Sequence, residues 1–361
     1  MHLSREQVAK LVAPHPKTLG LVTSWLNHYG VPSSSLSITQ SGNWLKITSV
    51  PVSQANSLLG ASYQLYRHTE TNDTIIRTIG YALPTVLQTH VKTVAPTTYF
   101  GLPPALSKLT GMLPGGTAAG PAGEPAKMLW SRYNYVTPSH LRWLYRSETY
   151  VTKAKDRNKL GVAGYLEQYP SPIDLWIFMK GFLTVTDADY DVETIKGGVY
   201  LPNNPGAEAS LNMQWAQGMA YPTPHIFYST GGMPPFVPDS SMPINTNEPF
   251  LDWLEYLLGE PNSAIPPTIT SSYGDNEQTV PPDYAESVCA SFAELGTRGV
   301  SFLTTSGNFG VGQGDCMTNE GSGKVQFLPR FPSSCSYIAM VHRRQFKSLT
   351  ALACVHRSLC H

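Results

Sequence analysis

Between Thr137 and Gly312, short apolar runs alternate with longer stretches of helical spacing, and this alternation constrains the fold more than any other feature of the chain. TPSHLRWLY has Thr137 placed as a helix cap and Pro138 in the first turn, where a missing N–H costs nothing. LGVAGYLEQ reads as a buried strand. SPIDLWIFMKGF, the helix opened by AEASLNMQW, then HIFYS, EPFLDWLEYLLGE, TITSSYGD, YAESVCASFAELG and GVSFLTTSGNFGVG continue the alternation. Strands that are apolar throughout are buried on both faces, and joining them in parallel needs helical crossovers. The expectation is an α/β fold with a parallel sheet covered on both sides. Chemistry in such sheets collects at the carboxyl ends of the strands, and SGNFGVG follows the apolar run Val300 to Leu303 at such an end.

The first hundred residues have a different rhythm. Ser4 and Gln7 stand at capping-box spacing before Val8, Leu11 and Val12 on one helix face. KTLGLVTSWLNHYG places Leu19, Val22, Trp25, Leu26 and Tyr29 on a second helix that stops at Gly30. SLSITQSGNWLKITSV reads as a hairpin turning at Ser41 and Gly42, VSQANSLLG as a helix and TIIRTIGYAL as a strand, which together predict a small α+β domain. Between the two regions, residues 101 to 127 hold 6 Gly and 5 Pro in 27 positions, too many breakers for a regular element.

Composition narrows the function. With 361 residues, 41% of them hydrophobic, the chain can bury a large core, and two domains are expected. Lys plus Arg and Asp plus Glu both number 25, so no basic field exists to hold nucleic acid or an anionic membrane surface. No run is long enough to span a bilayer, and MHLSREQVAKLV does not have the form of a secretory signal. Low charge, 30 Gly, 30 Pro, 19 Tyr and the sequon Asn72-Asp73-Thr74 lean toward an extracellular protein. Of the 5 Cys, Cys316 and Cys335 bracket a polar loop and could form a disulfide, whereas Cys289, within a helical apolar pattern, reads as a buried thiol. No spacing resembles a zinc site. His140 and His225 read as structural, Trp143, Trp176, Trp215 and Trp253 as core or cleft wall, Asp174 as a first-turn charge and Asp275 as a loop acceptor.

In AEASLNMQW, Glu208 and Asn212 are four positions apart and share a helix face. Two carboxylates there would suggest acid/base chemistry, but the second member is a neutral amide. VTPSHLRWLY, GVAGYLEQ, AEASLNMQ, EPFLDWLEYL, SSYGDNEQ, LGTRGVSFLTTSGNFGVG and FLPRFPSSC, in this order, resemble the landmarks of the serine-carboxyl peptidases, the sedolisin family that includes tripeptidyl peptidases. LSREQVAKLVAP and VTSWLNHYGV resemble that family's propeptide. The resemblance implies a subtilisin-like parallel sheet behind a small α+β, ferredoxin-like, pro-kumamolisin-like propeptide. It implies residues 1–100 as propeptide with its start missing, 101–136 as linker, 137–341 as a partial peptidase domain and 342–361 as an aberrant tail.

The family's E-A-x-L-D motif, carrying the general base and the Asp that orients it, falls on Glu208 to Asn212, and its S-G-D motif, carrying the oxyanion Asp, falls on Ser306, Gly307 and Asn308. Both Asp positions are therefore Asn, and the G-T-S-A string that carries the nucleophilic Ser is absent from the chain. HRRQFKSLTALACVHRSLCH, residues 342–361, has no counterpart, which implies a frame or splicing change near Val341 and a start clipped within the propeptide. The calcium site of the family belongs to its C-terminal part, so no metal or cofactor is expected. By resemblance the protein is a secreted acid peptidase acting on peptides or proteins, with its own propeptide as a partner and no nucleic acid or membrane. As the chain stands it is expected to be inactive. Non-catalytic readings stay open: a pseudo-peptidase that keeps its peptide groove, or a propeptide-type inhibitor.

The Gly- and Pro-rich stretch generates a first prediction. Added protease should cut first between Gly101 and Lys127, as mass spectrometry of the earliest fragments would show; first cuts inside either flanking region would refute the boundary.

Overall fold

The computed structural model describes residues 2–39, 42–67, 74–98, 136–155, 157–307 and 316–341. The Gly- and Pro-rich stretch, the Asn72-Asp73 part of the sequon, Asn308 and the tail 342–361 lie outside the described residues.

In the N-terminal region, α1 (Arg5–Leu11) begins with the capping box anticipated from Ser4 and Gln7. The chain continues through α2 (Thr18–His28), strands β1 (Leu36–Ile38) and β2 (Leu45–Ile47), α3 (Val52–Leu59), β3 (Gln64–Arg67) and β4 (Thr74–Arg77). The two hairpins are separate antiparallel ladders, β1 with β2 and β3 with β4. Leu26, Val31, Leu58 and Leu59 form the buried centre, packed by Val22, Trp25, Leu36, Leu45 and Ile47. Leu26 and Val22 are one turn apart on α2, so the apolar stripe read from the sequence is the face that makes this core.

The remaining elements are α4 (Pro138–Leu144), β5 (Leu160–Gly164), α5 (Pro172–Leu183), β6 (Asp191–Ile195), α6 (Ala207–Ala220), β7 (His225–Thr230), α7 (Phe250–Gly259), β8 (Thr268–Ser271), β9 (Asp275–Asn276), α8 (Pro282–Thr297), β10 (Ser301–Thr305), β11 (Arg330–Phe331) and β12 (Ala339–Val341). Six strands form one parallel sheet in the order β12-β10-β8-β5-β7-β6. β5 is the switch point: the chain first builds toward β6 and β7 on one side, then crosses to β8, β10 and β12 on the other. The glycine ending β5 has a steric reason, since a Cβ at Gly164 would stand 2.2 Å from the Phe227 ring on β7. β6 was not foreseen, because DVETI lacks the apolar run of the other strands and only Ile195 is fully buried.

Helices cover both faces. Trp253 on α7 is completely buried, 5.4 Å from the ring of Phe302 on β10 and 6.3 Å from Phe292 on α8. On the other side Leu175 and Met179 of α5 meet Ala209 and Met213 of α6 over Val162 and Phe227. Trp253 is thus core and Trp215 packs on Phe178, but Trp143 and Trp176 differ from expectation: they are 47% and 42% exposed, and Lys180 lies over the Trp176 ring. A Lys stem and cation over an indole face shield a surface Trp that no second element covers. None of the described helices is long and apolar enough to cross a membrane.

The cysteine expectation is corrected. Cys289 bonds to Cys335, with Cα atoms 5.3 Å apart, so Cys289 is not a free thiol and Cys316 is not the partner of Cys335. Loop bracketing favoured the nearer cysteine, but packing decides: Cys289 lies on the buried side of α8, and Cys335 belongs to the same core.

The N-terminal region docks on α7 and α8. Leu3 N donates to Thr297 O at 2.9 Å and Arg5 Nη1 to Gly259 O at 2.8 Å. Lys46 pairs with Glu255 at 3.2 Å, Lys92 with Glu286 at 2.5 Å, Thr93 Oγ1 donates to Asp283 Oδ2 at 2.5 Å, and Trp44 packs against the large core.

Two changes test this architecture. Trp253→Ala should cost about 3–5 kcal/mol in urea denaturation, because it empties a site ringed by aromatic side chains. Cys335→Ser, which opens a loop of sequence separation 46, should cost about 4 kcal/mol on the chain-entropy account. A loss below about 1 kcal/mol for either, the range of ordinary surface changes, would contradict the core placement.

Candidate active site

The loops after β5, β8 and β10 lie at the carboxyl edge of the sheet, beside its switch point, and the loop after β5 bonds to the N-terminus of α6. After β5 the chain turns sharply, with Leu166 and Glu167 both in left-handed conformation, and presents Gln168. Gln168 Oε1 accepts from Glu208 N at 3.2 Å, Gly206 N donates to Tyr169 O at 2.9 Å, and Ser171 N donates to Ser210 Oγ at 3.3 Å. These three bonds pin the start of α6. A Cβ at Gly206 would lie 2.6 Å from Gln168 Cβ, so the Gly ending LPNNPG permits the close approach.

Glu208 is partly buried in the first turn of α6. Burial pushes its carboxyl above the ordinary range, and Asn212, one turn on, pulls it back. Asn212 is buried, 7% exposed, and its Nδ2 makes no hydrogen bond of normal geometry. The amide is therefore near enough to favour the carboxylate electrostatically without being seated as a tight donor. The structure brings Glu208 and Asn212 together as their spacing requires. Asn308 falls outside the described residues, but the two residues before it are placed: Ser306 N donates to Val341 O at 3.1 Å, and Gly307 N donates to Thr305 Oγ1 at 3.0 Å.

Tyr273, following β8, faces this region from the other side. Burial raises its hydroxyl well above the usual range, and the charges of Glu208 and then Glu248 push it in the same direction. Its ring meets Tyr165 edge-on at 5.4 Å, and neither hydroxyl has a hydrogen-bond partner of normal geometry among the described residues.

Three polar residues were missed as a group from the sequence: the buried Glu248 and Asp275 and the partly buried Arg330. Glu248 and Asp275 are 4% and 2% exposed; Thr246 Oγ1, two residues before Glu248, donates to Asp275 Oδ1 at 3.4 Å, and burial, then the charge of Asp275, raises the Glu248 carboxyl. Asp275 was read as a loop acceptor; it lies on β9, which pairs with β11, where Phe331 faces it and Arg330 faces Asn276. A Cβ on Gly307 would lie 2.7 Å from Arg330 Nε. The only sequence signal was the unusual placing of an acid, in NTNEPF, beside an otherwise apolar helix start.

The histidines are structural as expected. His225 Nδ1 shares a hydrogen bond with Thr223 O at 2.7 Å, and burial lowers its pKa. His140 is buried at the start of α4, its N–H capped by Thr137 Oγ1 at 3.1 Å. Asp174 lies in the first turn of α5. As to the calcium of the resembling family, no group of three or more acidic, His or Cys side chains among the described residues is arranged to hold a metal ion.

The parallel sheet, the acid at the start of α6 and the S-G turn after β10 together define an α/β scaffold carrying a docked N-terminal domain. Residues 1–100 match the family described as "Pro-kumamolisin, activation domain". Over 347 residues the chain is 36% identical to the probable tripeptidyl-peptidase SED3 of Arthroderma benhamiae, covering 94% of this chain and 57% of that protein. It is 34% identical over 346 residues to tripeptidyl-peptidase SED2 of Arthroderma otae, with the same coverage. The chain belongs to the serine-carboxyl peptidase, or sedolisin, family. It spans 57% of the length of these curated relatives.

Asn212→Asp should convert the Glu208 neighbourhood into a coupled acid pair. The variant removes no normal hydrogen bond, so its melting temperature should match that of the wild type near pH 4. Above that, a pair that keeps a proton when folded and loses it when unfolded must lose stability as pH rises, by about 1.4 kcal/mol per unit by which the pair's pKa exceeds its unfolded value. Melting temperatures of the two proteins that run parallel from pH 4 to 8 would show that positions 208 and 212 do not interact.

Proposed function

We propose that this chain is an acid serine-type peptidase family protein whose peptide site is centred on Glu208, and that the polypeptide of residues 1–361 binds peptides without hydrolysing them. The observation that carries this reading is the Glu208–Asn212 pair. By resemblance the carboxylate falls at the position of the family's base, and it lies at the start of α6 beside the loop after β5, but its neighbour is an amide that can neither carry charge nor share a proton. A Ser hydroxyl needs a tuned base to attack a carbonyl, and the G-T-S-A string is absent from these residues. Asn308 stands at the position of the family's oxyanion acid and retains an amide N–H as donor, so that part of the machinery is altered rather than erased.

The relatives' names, tripeptidyl-peptidase SED3 and SED2, support short peptides bound by their N-terminal end as the ligand class. The match to an activation domain and the ionic docking of the N-terminal region on α7 and α8 support that domain as an intramolecular partner held until cleavage, in a protein that works outside the cell.

The experiment uses the purified chain with a fluorescent oligopeptide between pH 3 and 6. Saturable binding is expected, weakened in Glu208→Ala, with no cleavage products by mass spectrometry. Hydrolysis that purifies with the protein and vanishes in Glu208→Ala would overturn the non-catalytic reading. Absence of binding in the wild type would overturn the peptide site.

A further inference from the structure

We propose that Glu248, Asp275 and Arg330 act as positioning residues: a single proton held between the two carboxyls, balanced by one guanidinium, fixes the two segments that wall the carboxyl edge of the sheet beside its switch point. The two walls are the Tyr273–Gly274 segment after β8 and the Ser306–Gly307 turn after β10, and Arg330 touches both. Its Nη2 donates to Gly274 O, and its Nε lies 2.7 Å from where a Cβ on Gly307 would be. Gly307 has φ of +82°, so the turn can take this conformation and make this approach only without a side chain. Asp275, immediately after Gly274, is held on the opposite side of the same strand pair, and Thr246 Oγ1 donates to its Oδ1 at 3.4 Å.

Charge counting decides the protonation state. Among the described residues, an ionised Glu248 leaves Oε2 with no donor, and two buried carboxylates share the field of one arginine, whose Nε and Nη1 meet no acceptor. Protonated once, the pair gains the donor it lacks, and its single negative charge matches Arg330. The groups that face the pair do not change this balance. Thr246 is neutral, and Tyr165, Tyr273 and Tyr284 are buried phenols whose ionisation burial suppresses. Asp239, on the loop before α7, adds a further negative charge near Asp275, and Glu208 adds one beyond Tyr273. Every neighbouring charge other than Arg330 thus favours keeping the proton, and burial raises both carboxyls in the same direction.

Both groups are raised above their unfolded values. Their contribution is therefore fully present below the ordinary carboxyl range, near pH 4, and is lost as pH rises through the folded titration of the pair. The predicted result is loosening of the cleft walls at neutral pH. This inference concerns the walls alone and is read without substrate, so its failure leaves the peptide-site reading standing, and the reverse also holds.

The test is hydrogen exchange of the full chain between pH 4 and 8, corrected for intrinsic exchange. In the wild type, the opening equilibrium of residues 272–276 and 305–307 should grow, up to about tenfold per pH unit for one proton released. In Glu248→Gln, whose amide supplies a donor to Asp275 at every pH, the same segments should stay protected, while α3 in the N-terminal region should behave alike in both proteins. Equal pH dependence of the cleft segments in wild type and Glu248→Gln would overturn the proposal. If the variant does not fold, the wild type still decides. Carboxyl carbon-13 titration should find one side chain protonated well above the ordinary range, and finding every carboxyl ionised by pH 6 would overturn it.

Discussion

The rest of the structure depends on how β5 is packed between β7 and β8. A central parallel strand has no polar face to offer water, so its residues must be apolar or small, and LGVAG is both. Gly164 lets Phe227 reach across the strand end. Immediately beyond it the chain turns through two left-handed residues and delivers Gln168 to the start of α6. The helix that carries Glu208 is thus positioned by the strand on which the sheet reverses direction. Crevices form at such reversals because neighbouring loops diverge to opposite faces.

The large core on the α7–α8 side serves two purposes. Its aromatic cluster around Trp253 and the Cys289–Cys335 bond hold α8 against the sheet, and the outer surface of α7 and α8 receives the N-terminal region. The ion pairs there sit at different exposures. Lys46–Glu255 joins an exposed cation to a carboxylate that is only 13% exposed, while both members of Lys92–Glu286 are more than half exposed. Solvent screening makes the second pair worth little, so backbone bonds such as Leu3 to Thr297 and the packing of Trp44 carry the docking.

At the carboxyl edge of the sheet, an acid–amide pair and a pair of acids stand one tyrosine apart. Glu208 keeps an amide neighbour and a partly open environment, whereas Glu248 has a carboxyl neighbour and is sealed from water. Tyr273 feels the charge of both. The partly buried acid is accessible to a ligand. The buried pair has no access to one, and its effect can reach the cleft only through the backbone that it holds.

By itself the sequence determined the elements whose periodicity is strong. The capping box at Ser4, the Thr137 cap with Pro138, the strands LGVAG and HIFYS, the helices opened by AEASLNMQW and EPFLDWLEYL, and the adjacency of Glu208 and Asn212 all follow from spacing within one segment. Local spacing determines these because a helix or strand fixes its own neighbours at i+4 or i+2. Only tertiary structure decided the rest. DVETI became a strand because β7 offered it an edge, and Cys289 rather than Cys316 met Cys335 because α8 turns that face inward. Glu248, Asp275 and Arg330 lie far apart in the chain and share no local pattern; tertiary packing brings them together, and burial then raises both carboxyls.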